Sequence, residues 1–289
     1  MPVYNGAATV GHAIESLLAQ TCGDFELIVS DNASTDGTRD VLDTYVRQDD
    51  RVRYTRQSRN IGAPANYSYV AQVARGQYVK WAAASDWCAP TFLERCLEAI
   101  DARPDAVLAA PRTRLFAGDV ATAHDYARDI QILDERPVDR LRRQISEMEL
   151  NNAMNGLIRT AALRRTRLIE AYCHSDMVLM GRLALLGKFL LVDERLLYRR
   201  MEKQTATSLQ SPLERLRHYY PGMNVRSLFQ NWKLHAGWLR AVASARMPLG
   251  ERKEALGLVA RRCYWQWPLL VDDLRDAWRY LIRSRRPAV

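Results

Sequence analysis

A chain of 289 residues with 48% hydrophobic and 26% charged side chains is too long for one small module and too apolar for wholesale disorder. Its 42 Lys and Arg against 33 Asp and Glu leave a net charge of +9, which favours phosphates, nucleic acid or anionic lipid as partners without choosing among them. No stretch approaches the ~20 consecutive apolar residues that cross a bilayer and no secretory layout opens the chain. The five cysteines form no CxxC pair or zinc-spaced Cys/His cluster, so a cytoplasmic protein without structural zinc is expected.

From the start to about Pro111, short β-rich runs alternate with amphipathic helical stretches, the pattern of a mostly parallel sheet covered by helices. Val10, Ile14, Leu17 and Leu18 recur at helical spacing, Phe25 to Ser30 (FELIVS) reads as a buried strand ending at Asp31, and NASTDGT as the loop after it. Val41, Leu42, Tyr45 and Val46 mark the next helix, Val52 to Tyr54 a short strand, and Pro64 to Ala74 a helix that Gly76 can end at positive φ. Tyr78 to Ala83 is a strand running into Ala84-Ser85-Asp86-Trp87, and Pro90 opens a helix with Phe92, Leu93, Cys96, Leu97 and Ile100 on one face. A strand over Ala106 to Ala110 stops before Pro111, and the polar residues 118–146 read as a mobile connection until a helix begins at Pro137. There follow a strand around Leu157 and Ile158, a helix over Asp176 to Leu186 stopped by Gly187, and two strands, Phe189 to Val192 and Leu196 to Tyr198. Beyond Pro212 the pattern is helical.

Open α/β sheets bind ligands outside the carboxyl ends of their strands, which here are Tyr4-Asn5-Gly6, Asp31-Asn32, Asn60-Ile61-Gly62 and Ser85-Asp86. Asp31 can accept hydrogen bonds from a base or ribose, and Asp86 can ligate a hard divalent cation that bridges a diphosphate. Both aspartates are equally at home as turn and helix-cap residues. Arg199 and Arg200 follow a strand-like run where a guanidinium can pair with a diphosphate, or they are surface arginines of an arginine-rich chain.

Taken in order, PVYNGA at Pro2 to Ala7, FELIVSDNASTDGT at Phe25 to Thr38, NIGAPANY at Asn60 to Tyr67 and ARGQYVKWAAASDWCAPTFLERC at Ala74 to Cys96 resemble the family 2 glycosyltransferases. HSDMVLMGRLALLGKF at His174 to Phe189, followed by LLYRR at Leu196 to Arg200, is similar to the second half of a soluble bacterial branch. The resemblance covers residues 1–210 and implies a GT-A fold, the Rossmann-like α/β architecture of nucleotide-diphospho-sugar transferases. A nucleotide-binding half would occupy 1–111, an acceptor half 112–210, and a helical C-terminal extension 211–289.

By the same resemblance Pro2, Tyr4 and Asp31 contact the base, Asn66 lies near the nucleotide, Ser85 stands at the ribose position, and Asp86 holds Mn²⁺ or Mg²⁺. Asp176, in the run His174-Ser175-Asp176, falls where such enzymes place their general base; its other reading is a helix N-cap. His174 has no identifiable partner and reads as a structural neighbour. The implied activity is inverting transfer of a sugar from a nucleotide-diphosphate sugar to a hydroxyl of a glycan or lipid-linked acceptor, in bacterial polysaccharide or cell-surface glycan biosynthesis.

Two departures from the family pattern bear on activity. Ser85 stands where a second acidic residue is common, which implies weaker nucleotide or metal binding and motivates the alternative of a catalytically decayed nucleotide-sugar binder. Only Met1 precedes Pro2, so the first strand is truncated and one wall of the site is expected to be missing; a start upstream, with a β-branched run, would account for it. In the tail, Trp232, Trp238, Trp265, Trp267 and Trp278 alternate with arginines, which suits peripheral contact with the inner face of an anionic membrane. Alternatively these helices pack their aromatics on the catalytic domain, and Asp272, Asp273 and Asp276 weigh against the membrane. A basic nucleic-acid or phospholipid-surface binder is the reading from a different class, ranked below the transferase, for which no nucleic acid is expected. An NAD-dependent oxidoreductase is disfavoured, since no GxGxxG follows an early strand.

Overall fold

In the computed structural model, which describes residues 1–201 and 228–284, the chain runs β1 (Pro2–Val3), α1 (Val10–Leu18), β2 (Leu27–Asp31), α2 (Thr38–Gln48), β3 (Val52–Arg56) and α3 (Ala63–Val73). Next come β4 (Tyr78–Lys80), β5 (Trp87–Cys88), α4 (Phe92–Asp101), β6 (Ala106–Phe116), β7 (His124–Asp125), α5 (Pro137–Glu147) and β8 (Leu157–Arg159). They are followed by α6 (Thr160–Leu163), α7 (Ser175–Leu186) and β9 (Lys188–Arg200), then by α8 (Gln230–Ser244), α9 (Leu249–Trp265) and α10 (Trp267–Ser284). β1, β2 and β3 pair in parallel in that order, and a mixed sheet runs β4-β8-β6-β9-β5 with β7 on β6. Within it β6 and β9 are parallel, and the short strands β4, β5, β7 and β8 pair antiparallel.

The near-continuous apolar runs are strands buried on both faces, as parallel pairing under helices requires. Along β2, Leu27 and Val29 enter one core cluster while Ile28 enters the other, the alternation a pleated strand imposes. The first cluster collects Val10, Ile14 and Leu17 of α1, Leu42 of α2, and Phe92, Cys96 and Ile100 of α4. The second collects Val70 and Ala71 of α3 and Leu179, Met180 and Leu183 of α7. This two-sided cover leaves the carboxyl ends of β1, β2 and β4 and the loops after them as the accessible rim.

Several sequence expectations change in detail. The first strand is only two residues, yet Met1 and Val3 are buried, and their carbonyls accept the Ser30 and Asn32 N–H groups at 2.9 and 2.8 Å. The wall beside β2 at the rim is therefore present. β6 passes through Pro111 instead of stopping there: Pro111 falls between the partners on one edge, β8 at Leu108 and Ala109 and β7 at Arg114 and Leu115, and the register with β9 shifts beside it. Gly76 does not end α3 at positive φ, because the cap is extended Ala74; Gly62, at φ 86°, starts that helix. The polar stretch after Gly118 is pinned, since buried Ile132 exchanges backbone hydrogen bonds with Phe189 at 3.0 and 2.9 Å. The two expected strands after Gly187 are one, β9. The 210/211 boundary and the helical reading of residues 212–227 lie outside the described residues.

The tail divides between the two readings offered for it. Trp238 of α8 is 1% exposed and joins Leu234 and Val242 against Val138 and Leu141 of α5 and Val178 and Leu185 of α7. Glycine makes this possible, because a Cβ on Gly181 would collide with the Trp238 ring, lying 2.7 Å from its Cη2. Gly181→Ala is expected to destabilise the protein by about 1–3 kcal/mol, the usual range for overpacking, read as a lowered midpoint in urea. An unchanged midpoint would mean that this helix is not docked there. By contrast Trp232, Trp265, Trp267 and Trp278 remain largely outside any core.

Candidate active site

Three loops at the rim are tied to one another before any ligand arrives. After β1, Asn5 takes φ 50°, its N–H donates to Ser34 Oγ at 2.9 Å, and its Oδ1 accepts the Thr35 N–H at 2.8 Å. Asn32, after β2, holds the third loop: its Oδ1 accepts the Ile61 N–H at 2.8 Å and its Nδ2 donates to Asn60 Oδ1 at 2.9 Å. Tyr4 projects at the mouth, 48% exposed, while Pro2 lies buried in β1 opposite Ser30.

Asp31 ends β2 with no exposed surface. Its Oδ1 accepts the Ser34 N–H at 2.8 Å, and its Oδ2 accepts Arg56 Nη1 at 2.7 Å and the Tyr54 hydroxyl at 3.2 Å. Arg56 also donates to the Ser34 carbonyl at 2.8 Å, so the cation fixes both the carboxylate and the loop after it. Asn66 is 2% exposed and spent within the fold: Oδ1 accepts the Ser30 hydroxyl at 2.6 Å, and Nδ2 donates to the Ser30 carbonyl at 2.9 Å. Arg56→Met is expected to lower stability, because it leaves the buried Asp31 carboxylate without its cation. A urea titration reads it, and the same variant should weaken nucleotide binding through the released loop.

Asp86 follows β4 and is 9% exposed, with its Oδ1 accepting the Arg200 N–H at 3.1 Å. Burial raises its carboxyl pKa, opposed by that N–H, by Arg199 and Lys80, and by the Ser85 hydroxyl. Strand alternation at the end of β9 then separates the two arginines. Arg199 donates to Asn152 Oδ1 at 2.7 Å, and Asn152 in turn donates to Asp129 at 3.0 Å. Arg200 lays its guanidinium over Phe116, 5.2 Å from the ring centre, and donates to the Gly118 carbonyl at 3.0 Å. A cleft of about 540 Å³ opens here, lined by Ser85, Asp86, Trp87 and Arg200 with Thr9 and His12 of the first helical segment and Asp119 opposite.

Asp176 lies in the first turn of α7 and is half-buried; its Oδ2 accepts Asn151 Nδ2 at 2.8 Å. The N-cap of that helix is His174, at φ 62°, so Asp176 does not cap it. Tyr67, partly buried on α3, brings the pieces together: burial first, then the charges of Asp86 and Asp176, against Arg199, push its phenol up to about 12. The hydroxyl stays protonated at neutral pH, and those three charges act on it electrostatically.

Sequence reasoning passed over Tyr67, Arg56, Lys80 and the asparagines 151 and 152. Tyr67 closes the NIGAPANY motif, and NNAMN at 151–155 was a signal, being a polar cluster directly before a strand. Among the described residues no three His, Cys, Asp or Glu side chains cluster as a metal cage; of the three carboxylates that line the cleft, Glu15, Asp86 and Asp119, only Asp86 is buried. A single carboxylate suits Mg²⁺ or Mn²⁺, which complete their shells with water and substrate phosphates, and a cation there would favour the ionised form that burial disfavours.

The chain is similar in sequence and in fold to known proteins. Over 79 residues the chain is 33% identical to the glycosyltransferase GlyG of Streptococcus pneumoniae, a stretch covering 27% of this chain and 26% of that protein. It is 32% identical over 114 residues to the chondroitin synthase of Escherichia coli, covering 39% of this chain and 16% of the synthase. The matches thus span well under half of these relatives' lengths. In structure it superposes on S. aureus TarS 1-349, solved in complex with UDP-GlcNAc, with a TM-score of 0.67 at 14% identity over 96% of this chain and 78% of that one, which shows the GT-A fold. The family model described as glycosyl transferase family 2 matches residues 1–173, more than half of the 289, and the chain belongs to that family.

Proposed function

We propose that the protein is an inverting glycosyltransferase that moves a sugar from a nucleoside-diphosphate sugar to a hydroxyl of a glycan or lipid-linked acceptor, in assembly of a bacterial polysaccharide or surface glycan. The observation that carries this reading is the buried carboxylate of Asp86, set beside Ser85 and Arg200 in the cleft that follows β4. The relatives named for glycosyl transfer and the neighbour solved with UDP-GlcNAc support it. In this reading residues 1–210 are the catalytic domain, with 211–289 as its helical extension, and the enzyme works in the cytoplasm.

Asp31 is buried and does not meet the base itself; held by Arg56 and Tyr54, it fixes the loop after β2, and exposed Tyr4 is the residue of that rim free to meet a base. Asp86 is the ligand for Mg²⁺ or Mn²⁺, with the Ser85 hydroxyl as a neutral neighbour for the ribose. When bound, the ion neutralises charge developing on the departing nucleoside diphosphate. Arg199 and Arg200 supply further positive charge on that side. Asn151 occupies one oxygen of Asp176, so the other is left to take the proton of the acceptor hydroxyl as that oxygen bonds to the anomeric carbon. The bond from carbon to diphosphate breaks in the same displacement, its electron pair leaving with the diphosphate, and the configuration inverts.

Ser85 favours a second reading, a nucleotide-sugar binder that has lost turnover. Thermal unfolding with UDP, GDP and dTDP, each with and without Mn²⁺, tests the shared premise. A nucleotide at 100 times its dissociation constant should stabilise the fold by about 2.7 kcal/mol. Metal-dependent stabilisation by one nucleotide is expected, and a folded protein indifferent to all of them would remove both readings. Turnover separates the two.

A further inference from the structure

We propose that α10 and the corner joining it to α9 form a docking surface for an anionic lipid bilayer. This goes beyond the transferase reading and does not depend on it. α10 is held in one orientation by its inner face, where Leu270, Asp273 and Ala277 are buried. The Asp273 carboxylate accepts the Asn231 N–H at 2.8 Å and Asn231 Nδ2 at 2.9 Å, and Trp232 Nε1 donates to the Leu270 carbonyl at 3.0 Å. That anchorage turns a second stripe outward. Trp267, Leu274, Trp278, Leu281 and Ile282 recur at helical spacing and are 58, 49, 66, 44 and 40% exposed. At the corner Tyr264 and Trp265 are 73 and 74% exposed and meet edge to face at 6.3 Å.

A water-facing helix normally places charge where this stripe lies, and a contiguous exposed apolar face rimmed by polar groups marks a contact surface. Three features point to lipid as the occupant. Trp and Tyr, with an apolar body and one polar group, are the side chains that settle at the headgroup level. Residues 228–284 hold ten Lys and Arg against five Asp and Glu; α10 itself is balanced at three of each, and the excess on α8 and α9, up to Arg261 and Arg262 at the corner, attracts an anionic leaflet. Arg261 is exposed one turn before Trp265, and Arg275 and Arg279 directly follow Leu274 and Trp278, each also pairing with the aspartate three residues back. At ~1.5 Å per residue α10 is long enough to lie across many headgroups. Among the described residues no helix is long and apolar enough to cross a membrane, so the contact is in the interface plane.

Flotation of the full chain with phosphatidylcholine vesicles, with and without phosphatidylglycerol, tests this. Binding is expected to the anionic vesicles, weakened by salt, with a blue shift of tryptophan emission. The double variant Trp267→Ser/Trp278→Ser, and separately Leu274→Glu, should each lower partitioning by about tenfold or more. Melting and near-ultraviolet dichroism matching the wild type establish that these surface variants are folded. Failure of the folded wild type to float with anionic vesicles would overturn the proposal, as would equal binding to both vesicle types or wild-type binding by both variants. A concentration-dependent dimer that the same substitutions dissolve, without vesicle binding, would overturn it in favour of a second copy of the chain.

Discussion

Asp176→Asn is expected to slow sugar transfer by about 10³-fold while nucleotide binding and melting temperature stay at their wild-type values. The substitution preserves shape, and an amide oxygen can still accept the Asn151 Nδ2–H that now holds Asp176 Oδ2 at 2.8 Å. What is lost is basicity: an amide cannot take the proton of the attacking hydroxyl, so the displacement must proceed against a poorer nucleophile. The loss should appear in kcat rather than in donor KM, because nothing in the proposed base-binding pocket changes. Asn151→Ala, which frees the carboxylate to rotate, should cost a smaller factor in kcat, since the proton acceptor survives and only its aim is lost. Wild-type transfer by Asp176→Asn would remove Asp176 from the chemistry.

The second large effect is expected at Asp86. Asp86→Asn keeps an oxygen for the Arg200 N–H but removes the charge, so the metal-dependent part of nucleotide binding should vanish, with transfer falling by about 10²-fold or more. Stability should move the other way. Burial raises the folded carboxyl pKa above its ordinary value of 3.8, so the ionised form costs stability above the folded pKa, and the cost disappears as pH falls below 3.8. The apo variant should therefore melt at or above the wild-type temperature at pH 7, with the difference shrinking in acid. A variant that melts lower yet binds nucleotide with the same metal dependence would mean that Asp86 is a structural acceptor and not the cation ligand. Ser85→Asp, adding a carboxylate directly beside Asp86, should strengthen the metal-dependent binding.

The elements with one dominant local signal were legible in the sequence. The apolar run at Leu27–Asp31 reads as a strand buried on both faces, the apolar stripes of α1 and α4 face a sheet, and α7 is apolar nearly all round because it lies between the second core cluster and the helices α5 and α8. What local signals could not supply was pairing. The two-residue strands β1 and β5 exist only because β2 and β9 offer ladders to join, and Pro111 is tolerated in β6 only because its edge partners change there. The same holds at the site. Asp31, Asp86 and Asp176 were found from motif position, but the groups that give them their charge environment arrive from elsewhere in the chain: Arg56 from β3, Tyr67 from α3, and Asn151 and Asn152 from the loop before β8. Asn66 illustrates the reverse case, a motif residue whose amide is consumed by Ser30 and ties α3 to β2. In the tail, aromatic content alone could not separate Trp238, which a glycine on α7 admits to the core, from Trp267 and Trp278, which no partner covers among the described residues.

The most direct measurement is release of nucleoside diphosphate from UDP-, GDP- and dTDP-sugars by the purified full chain, in Mn²⁺ or Mg²⁺, compared with the Asp176→Asn and Asp86→Asn variants. Release from one nucleotide class, dependent on the metal and lost in both variants while Asp176→Asn still binds the nucleotide, is the predicted result. Binding of a nucleotide sugar without release in any metal, even when hydroxyl acceptors are supplied at high concentration, would contradict the transferase and leave a binding protein built on the same cleft.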